Sequence, residues 1–239
     1  MRIETIDLAA FEAAVGDNRA ARAARLDAIC RETGFLLLTG HGVPADTIDA
    51  MRRSARAFFD RQVSEKSALA PAPGQPYGWI GPGREALARA RDPQSPFDLK
   101  ESFNGGPLRV PPGEEDPDAL AFCYAPTPFP DLPGFEPAWR AYYAALDDLG
   151  RRVMRMVAAA LGLPEDRFDA VLRLPVSALR LLDYPAQAGA AIGAGAHTDY
   201  GSLTMLMPDD GSRGLEVRLP SGDWHEVAPV PGTFVVNVG

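Results

Sequence analysis

Cysteine is almost absent from these 239 residues. Cys30 and Cys123 are too few for a disulfide framework, and they stand too far apart in sequence to form a metal knuckle. Histidine is scarce as well, occurring only at positions 41, 197 and 225, so any imidazole chemistry must draw on His41, His197 or His225. Positive charge is also lacking. A formal net charge of -8 argues against nucleic acid or an anionic membrane as the main partner and favours small molecules or neutral partners. The opening residues, Met1 to Asp7, lack the apolar run of a signal peptide, and no later stretch approaches membrane-spanning length. A cytoplasmic location is the expectation. There is no internal repeat, and the oligomeric state is not legible.

What is present reads as helices first and strands later. A helix is expected over 17–33, with Leu26 and Ile29 on one face and Gly34 placed to end it. Phe35 to Thr39 is a short apolar run between glycines, suited to a buried strand. Pro44 opens a second helix in which Ile48, Met51, Ala55 and Phe58 recur at helical spacing. From about 70 to 136, proline and glycine are dense, and a long irregular binding loop or lid is expected, packed by Tyr77, Trp79, Phe97, Phe103 and Phe122. A strong helical pattern returns over 137–161, and a shorter helix follows around Pro164 to Leu172. Strands are then expected over 177–184, 196–207, 214–219, 224–227 and 234–238, separated by turn residues. Three regions follow: 1–136 with helices and the Pro/Gly-rich loop, 137–174 with the supporting helices, and 175–239 as an antiparallel β system.

Within that β region, His197-Thr198-Asp199 carries the sharpest chemical signal. Residues i and i+2 of a strand share a face, so an imidazole and a carboxylate would aim at one point. Such a pair is two thirds of the two-histidine, one-carboxylate triad that holds non-haem Fe(II). Alone the triplet is a weak signal, because a solvated His and Asp beside a loop read the same way. Its context adds weight: the small-residue segment Gly193 to Ala196 precedes it, where backbone can approach a ligand closely.

The surrounding segments resemble one family throughout. Leu179-Arg180-Leu181-Leu182-Asp183-Tyr184-Pro185, Gly195 to Thr204, Gly214-Leu215-Glu216-Val217 and Pro231 to Gly239 follow in the order of the isopenicillin N synthase-like Fe(II)/2-oxoglutarate-dependent dioxygenases. Gly34-Phe35, Gly40-His41-Gly42-Val43, Phe58-Phe59 with Glu65-Lys66, and Asp98-Leu99-Lys100-Glu101-Ser102-Phe103 agree in the N-terminal half. The resemblance implies an α+β fold, an N-terminal helical region followed by an incomplete double-stranded β-helix, or jelly roll. It implies Fe(II) held by His197 and Asp199, with 2-oxoglutarate as co-substrate and O2 as oxidant. Tyr184 matches a tyrosine that hydrogen-bonds the 2-oxoglutarate carboxylate. The implied reaction oxidises a small molecule and releases succinate and CO2. The family's distal histidine and Arg-x-Ser pair are not among these residues, so the expectation is a C-terminally truncated chain with an impaired site. Alternatives are a same-family iron oxidase that does not use 2-oxoglutarate, an ethylene-forming enzyme, and a non-catalytic β-sandwich remnant or binding module.

Other polar residues carry plainer readings. His225 reads as an exposed strand histidine, His41 as a structural turn residue and Cys123 as a small buried side chain. Lys100-Glu101 reads as a solvated pair, although its family position hints at more. Arg180 stays open between buried cation and substrate anchor, and Asp183 and Tyr200 stay open between pocket and surface.

Overall fold

A computed structural model describes residues 3–90, 92–185 and 193–238. The chain begins with strand β1 (Glu4–Asp7), helices α1 (Leu8–Ala13) and α2 (Gly16–Glu32), and strand β2 (Phe35–Thr39). Asp7 caps α1 by accepting the Ala10 N–H at 3.0 Å, which satisfies one of the donors a helix start leaves open. Helix α3 (Ala45–Phe59) starts after Pro44 and buries Ile48, Met51, Phe58 and Phe59 on one side. Its first-turn Asp46 and last-turn Arg56 have the charge order that the helix dipole favours. The short α4 (Val63–Ser67) is fixed by a capping box between Gln62 and Glu65.

The proline- and glycine-dense stretch is more ordered than its composition suggests. It holds β3 (Gly78–Ile80), a 3-10 turn (Leu87–Ala90), β4 (Glu101–Gly105) and α5 (Pro117–Phe122). A single long loop over 70–136 is therefore corrected. Tyr77, Trp79 and Phe103 are buried core residues, whereas Phe97 and Phe122 are exposed. Helix α6 (Phe135–Ala160) follows, then a 3-10 turn (Glu165–Phe168) in place of the shorter helix expected around Pro164 to Leu172. The remaining strands are β5 (Leu179–Asp183), β6 (Leu203–Leu206), β7 (Glu216–Arg218), β8 (Trp224–Glu226) and β9 (Phe234–Val238). No helix among the described residues is long and apolar enough to cross a membrane.

The chain forms two compact units. One comprises 1–43, 148–172 and 198–239. Its four-stranded sheet has the order β1-β2-β9-β6, parallel between β1 and β2 and antiparallel elsewhere. Ile3, Leu37, Val217, Val227 and Val235 form its buried cluster, with β7 and β8 paired as a separate ribbon. Asn237 lies in β9 opposite Phe35 on one side and Thr204 on the other, and by strand alternation it shares the face of Val235.

The second unit comprises 44–147 and 173–197. Its sheet is β3-β4-β5, antiparallel throughout. Every residue of β4 is buried. Phe103 packs edge-on against Phe58, Phe135 and Trp139 with ring centroids 5.1–5.4 Å apart, a favoured aromatic geometry. The overall class is the mixed α+β arrangement the sequence suggested.

Candidate functional site

The segment that carries His197 and Asp199 is irregular backbone, not strand. The expected strand over 196–207 forms only from Leu203 to Leu206, because Gly201 takes φ +86° and breaks the extended run just before it. The two side chains are therefore oriented by specific hydrogen bonds, and pleat alternation plays no part. His197 is exposed, and its Nδ1 lies 2.8 Å from the carbonyl oxygen of Gly195. A carbonyl only accepts, so Nδ1 is the donor in this hydrogen bond. Asp199 is half-buried, and its Oδ2 accepts the side-chain amide of Asn237 at 3.0 Å. Imidazole and carboxylate are each donor types that suit a divalent metal. Among the described residues, no group of three His, Cys, Asp or Glu side chains could hold a metal ion.

Behind His197, in its own unit, lies a buried polar network. Asp98 is 2% exposed, and its Oδ1 accepts the Gly195 N–H at 3.0 Å while its Oδ2 accepts the Leu87 N–H at 3.3 Å. The neighbouring Leu99 N–H donates to the carbonyl of Gly193 at 2.9 Å. Lys100, also buried, pairs with Glu85 and lies 3.6 Å from Asp98. Arg180 pairs with the same Glu85 and donates Nε to Asn104 at 2.8 Å. Burial alone would raise the Glu85 pKa, but the Lys100 hydrogen bond and the Arg180 charge outweigh it and hold the carboxyl below its usual range.

Tyr184 follows the end of β5 and is half-exposed, and a side chain at Gly193 would run into its ring. Loss of water pushes its phenol up; Arg180 opposes this, and Asp98 and Glu85 add to it. Tyr184 therefore remains a neutral hydrogen-bond donor at ordinary pH.

The remaining candidates sort clearly. His41 is buried and uses both ring nitrogens: Nε2 donates to Gly232 O at 3.1 Å, and Nδ1 accepts the Val43 N–H at 3.0 Å. It is structural. His225 lies on β8 opposite Val217. Asp183 forms an ion pair with Arg56 at 2.9 Å, and Tyr200 projects into solvent at 93% exposure. Arg180 is an exposed residue whose guanidinium is held by Glu85 and Asn104, so a wholly buried cation is ruled out. Cys123 is half-buried, not fully buried.

The solvated reading of Lys100-Glu101 is overturned, because both residues are buried. Glu101 accepts from Lys66 at 2.7 Å and from the Trp79 indole at 2.5 Å, while Lys100 engages Glu85. Neighbouring residues at the start of a buried strand point to opposite faces, and each face supplies its own countercharges. Sequence reasoning gave no role to Asn237 or Asp98. A lone amide inside the apolar run Phe234 to Val238 was the available signal for the first, and the dense charge of Asp98 to Glu101 for the second.

Comparison with family models and known proteins identifies relatives of the chain. The family model described as non-haem dioxygenase in morphine synthesis N-terminal matches residues 3–132, and that of the 2OG-Fe(II) oxygenase superfamily matches residues 175–239. The 2-oxoglutarate-dependent dioxygenase caaD of Aspergillus niger is 32% identical over 248 residues, covering 100% of this chain and 74% of that protein. The chain belongs to the 2OG-Fe(II) oxygenase superfamily. Homoarginine-6-hydroxylase 2-ODD-C23.2 of Arabidopsis thaliana is 30% identical over 219 residues, covering 90% of this superfamily member and 59% of the plant protein. The chain spans 59–66% of the length of the plant homoarginine-6-hydroxylases it matches. Among solved structures, a full-length Neurospora crassa protein in complex with alpha-KG superposes with a TM-score of 0.83 at 27% identity, covering 99% of this chain and 73% of that one.

Proposed function

We propose that the protein is an Fe(II)- and 2-oxoglutarate-dependent dioxygenase that oxidises a small molecule and releases succinate and CO2. The observation that carries this reading is His197 held at Nδ1 by the Gly195 carbonyl, two residues before a carboxylate held by Asn237. In this reading His197 and Asp199 hold the iron, and Tyr184 offers its phenol O–H to a carboxylate of 2-oxoglutarate. When bound, the iron and 2-oxoglutarate supply the oxidising power by activating O2. The chain's own residues orient and hold. Gly195 fixes the imidazole ring, Asn237 fixes the carboxylate plane, and the buried network around Asp98 stiffens the ligand-bearing backbone. Support for a small-molecule substrate comes from the superposing Neurospora crassa protein, which is also known in complex with alpha-KG and thymine.

The test is succinate formation from 2-oxoglutarate by the whole protein supplied with Fe(II) and O2. His197→Ala and Asp199→Ala are each expected to lower turnover at least about 100-fold, since each deletes a ligand. Turnover unchanged in both variants would contradict the assignment.

A further inference from the structure

The Asp98-Leu99 segment stands far from the ligand pair in sequence yet bonds the backbone that leads into it. Asp98 Oδ1 takes the Gly195 N–H at 3.0 Å, Leu99 N–H reaches Gly193 O at 2.9 Å, and Gly195 O takes the His197 Nδ1–H at 2.8 Å. The carboxylate thus holds one end of the Gly195 residue while the imidazole hangs from the other. A Cβ at Gly195 would overlap the Ala88 side chain, so the residue fits only as glycine pressed onto the turn that Asp98 also anchors through Leu87. Asp98 cannot readily drift, because it is buried beside the Lys100 ammonium.

We infer that Asp98 is a positioning residue that sets the His197 tautomer through the Gly195 backbone, and so presents Nε2 to the metal. The inference deepens the reading of His197 as a ligand and rests on it. An exposed imidazole in water exchanges between both neutral tautomers. A ring held by a fixed carbonyl stays in one, and support of this kind behind a metal-bound histidine is worth about 10-fold to 100-fold in metal affinity.

The experiment reads the tautomer directly, without metal, from the 15N shifts of the imidazole nitrogens at a pH where the ring is neutral. The His197 signals are identified as those that His197→Gln deletes. Wild type is expected to show Nδ1–H alone. Asp98→Asn keeps an oxygen acceptor for Gly195 and is expected to match it. Glu85→Gln disturbs the same buried network without touching Gly195 and is also expected to match. Asp98→Ala is expected to give a mixture of tautomers and to weaken Zn(II) binding at least about 10-fold. Asp98→Ser, whose hydroxyl is too short to reach Gly195, serves the same comparison if the alanine variant does not fold. A folded Asp98→Ala or Asp98→Ser chain that keeps the wild-type tautomer and Zn(II) affinity would overturn the role of Asp98 alone. A wild-type chain whose His197 signals ignore added Zn(II) would overturn the ligand reading itself.

Discussion

Asn237, the last buried residue of the apolar strand β9, donates its side-chain amide to Asp199 Oδ2 at 3.0 Å. The amide lies in β9 between β2 and β6, so its position is set by two ladders of backbone hydrogen bonds. A half-buried carboxylate on irregular backbone thereby gains a rigid support. Replacing Asn237 by Ala is expected to lower divalent-metal affinity about 10-fold to 100-fold, because the carboxylate loses its outer partner. Asn237→Asp sets two carboxylates together and is expected to perturb the site at least as strongly, by repulsion when both are charged. Titration with Co(II), followed by its visible absorption, measures both effects.

The buried Lys66–Glu101 pair supplies a stability test. Both groups are nearly inaccessible, and Trp79 and the Phe59 carbonyl complete their hydrogen bonds. Lys66→Met strands the Glu101 charge and is expected to cost about 3–5 kcal/mol. Adding Glu101→Gln removes the stranded charge, while the Trp79 donor keeps an oxygen to bond. Urea melts of the single and double variants are expected to show most of the loss recovered in the double.

Phe103 is fully buried and touches three aromatic rings. Phe103→Ala leaves a cavity that these rigid rings cannot fill, and is expected to cost about 3–5 kcal/mol by denaturant unfolding. Phe103→Leu retains most of the volume and is expected to cost less than the alanine change.

The Glu85 carboxyl, held by Lys100 and Arg180, has a folded pKa below its ordinary value. A depressed carboxyl contributes stability that is fully present above the unfolded pKa of about 4.3 and is lost as pH falls through the folded one. Stability measured by urea unfolding is therefore expected to decline below about pH 4.5. Glu85→Gln is expected to be less stable at neutral pH and to show a shallower decline in acid.

The helices and apolar strands were legible because burial leaves a period in the sequence. The Pro44 start of α3, the Phe35–Thr39 strand and the Phe135–Ala160 helix appear within about two residues of expectation. The strands inside the proline-rich stretch were not legible. Glu101 to Gly105 is polar by composition and buried only because Lys66, Trp79 and Arg180 supply its partners from distant positions. The His197-Thr198-Asp199 triplet was legible as a motif, but its geometry was not. Gly201 breaks the expected strand, and the bonds that replace pleat alternation come from Gly195 and Asn237. Partners so far apart in sequence leave no local pattern.

The most direct test of the central assignment is anaerobic titration of the whole protein with Fe(II) and 2-oxoglutarate, following the metal-to-ligand charge-transfer absorption. A saturable band that requires both additions, and is lost in His197→Ala and Asp199→Ala, is the expected result. A band that persists in both variants, or its absence from a folded wild-type protein, would contradict the assignment of these two residues to the iron.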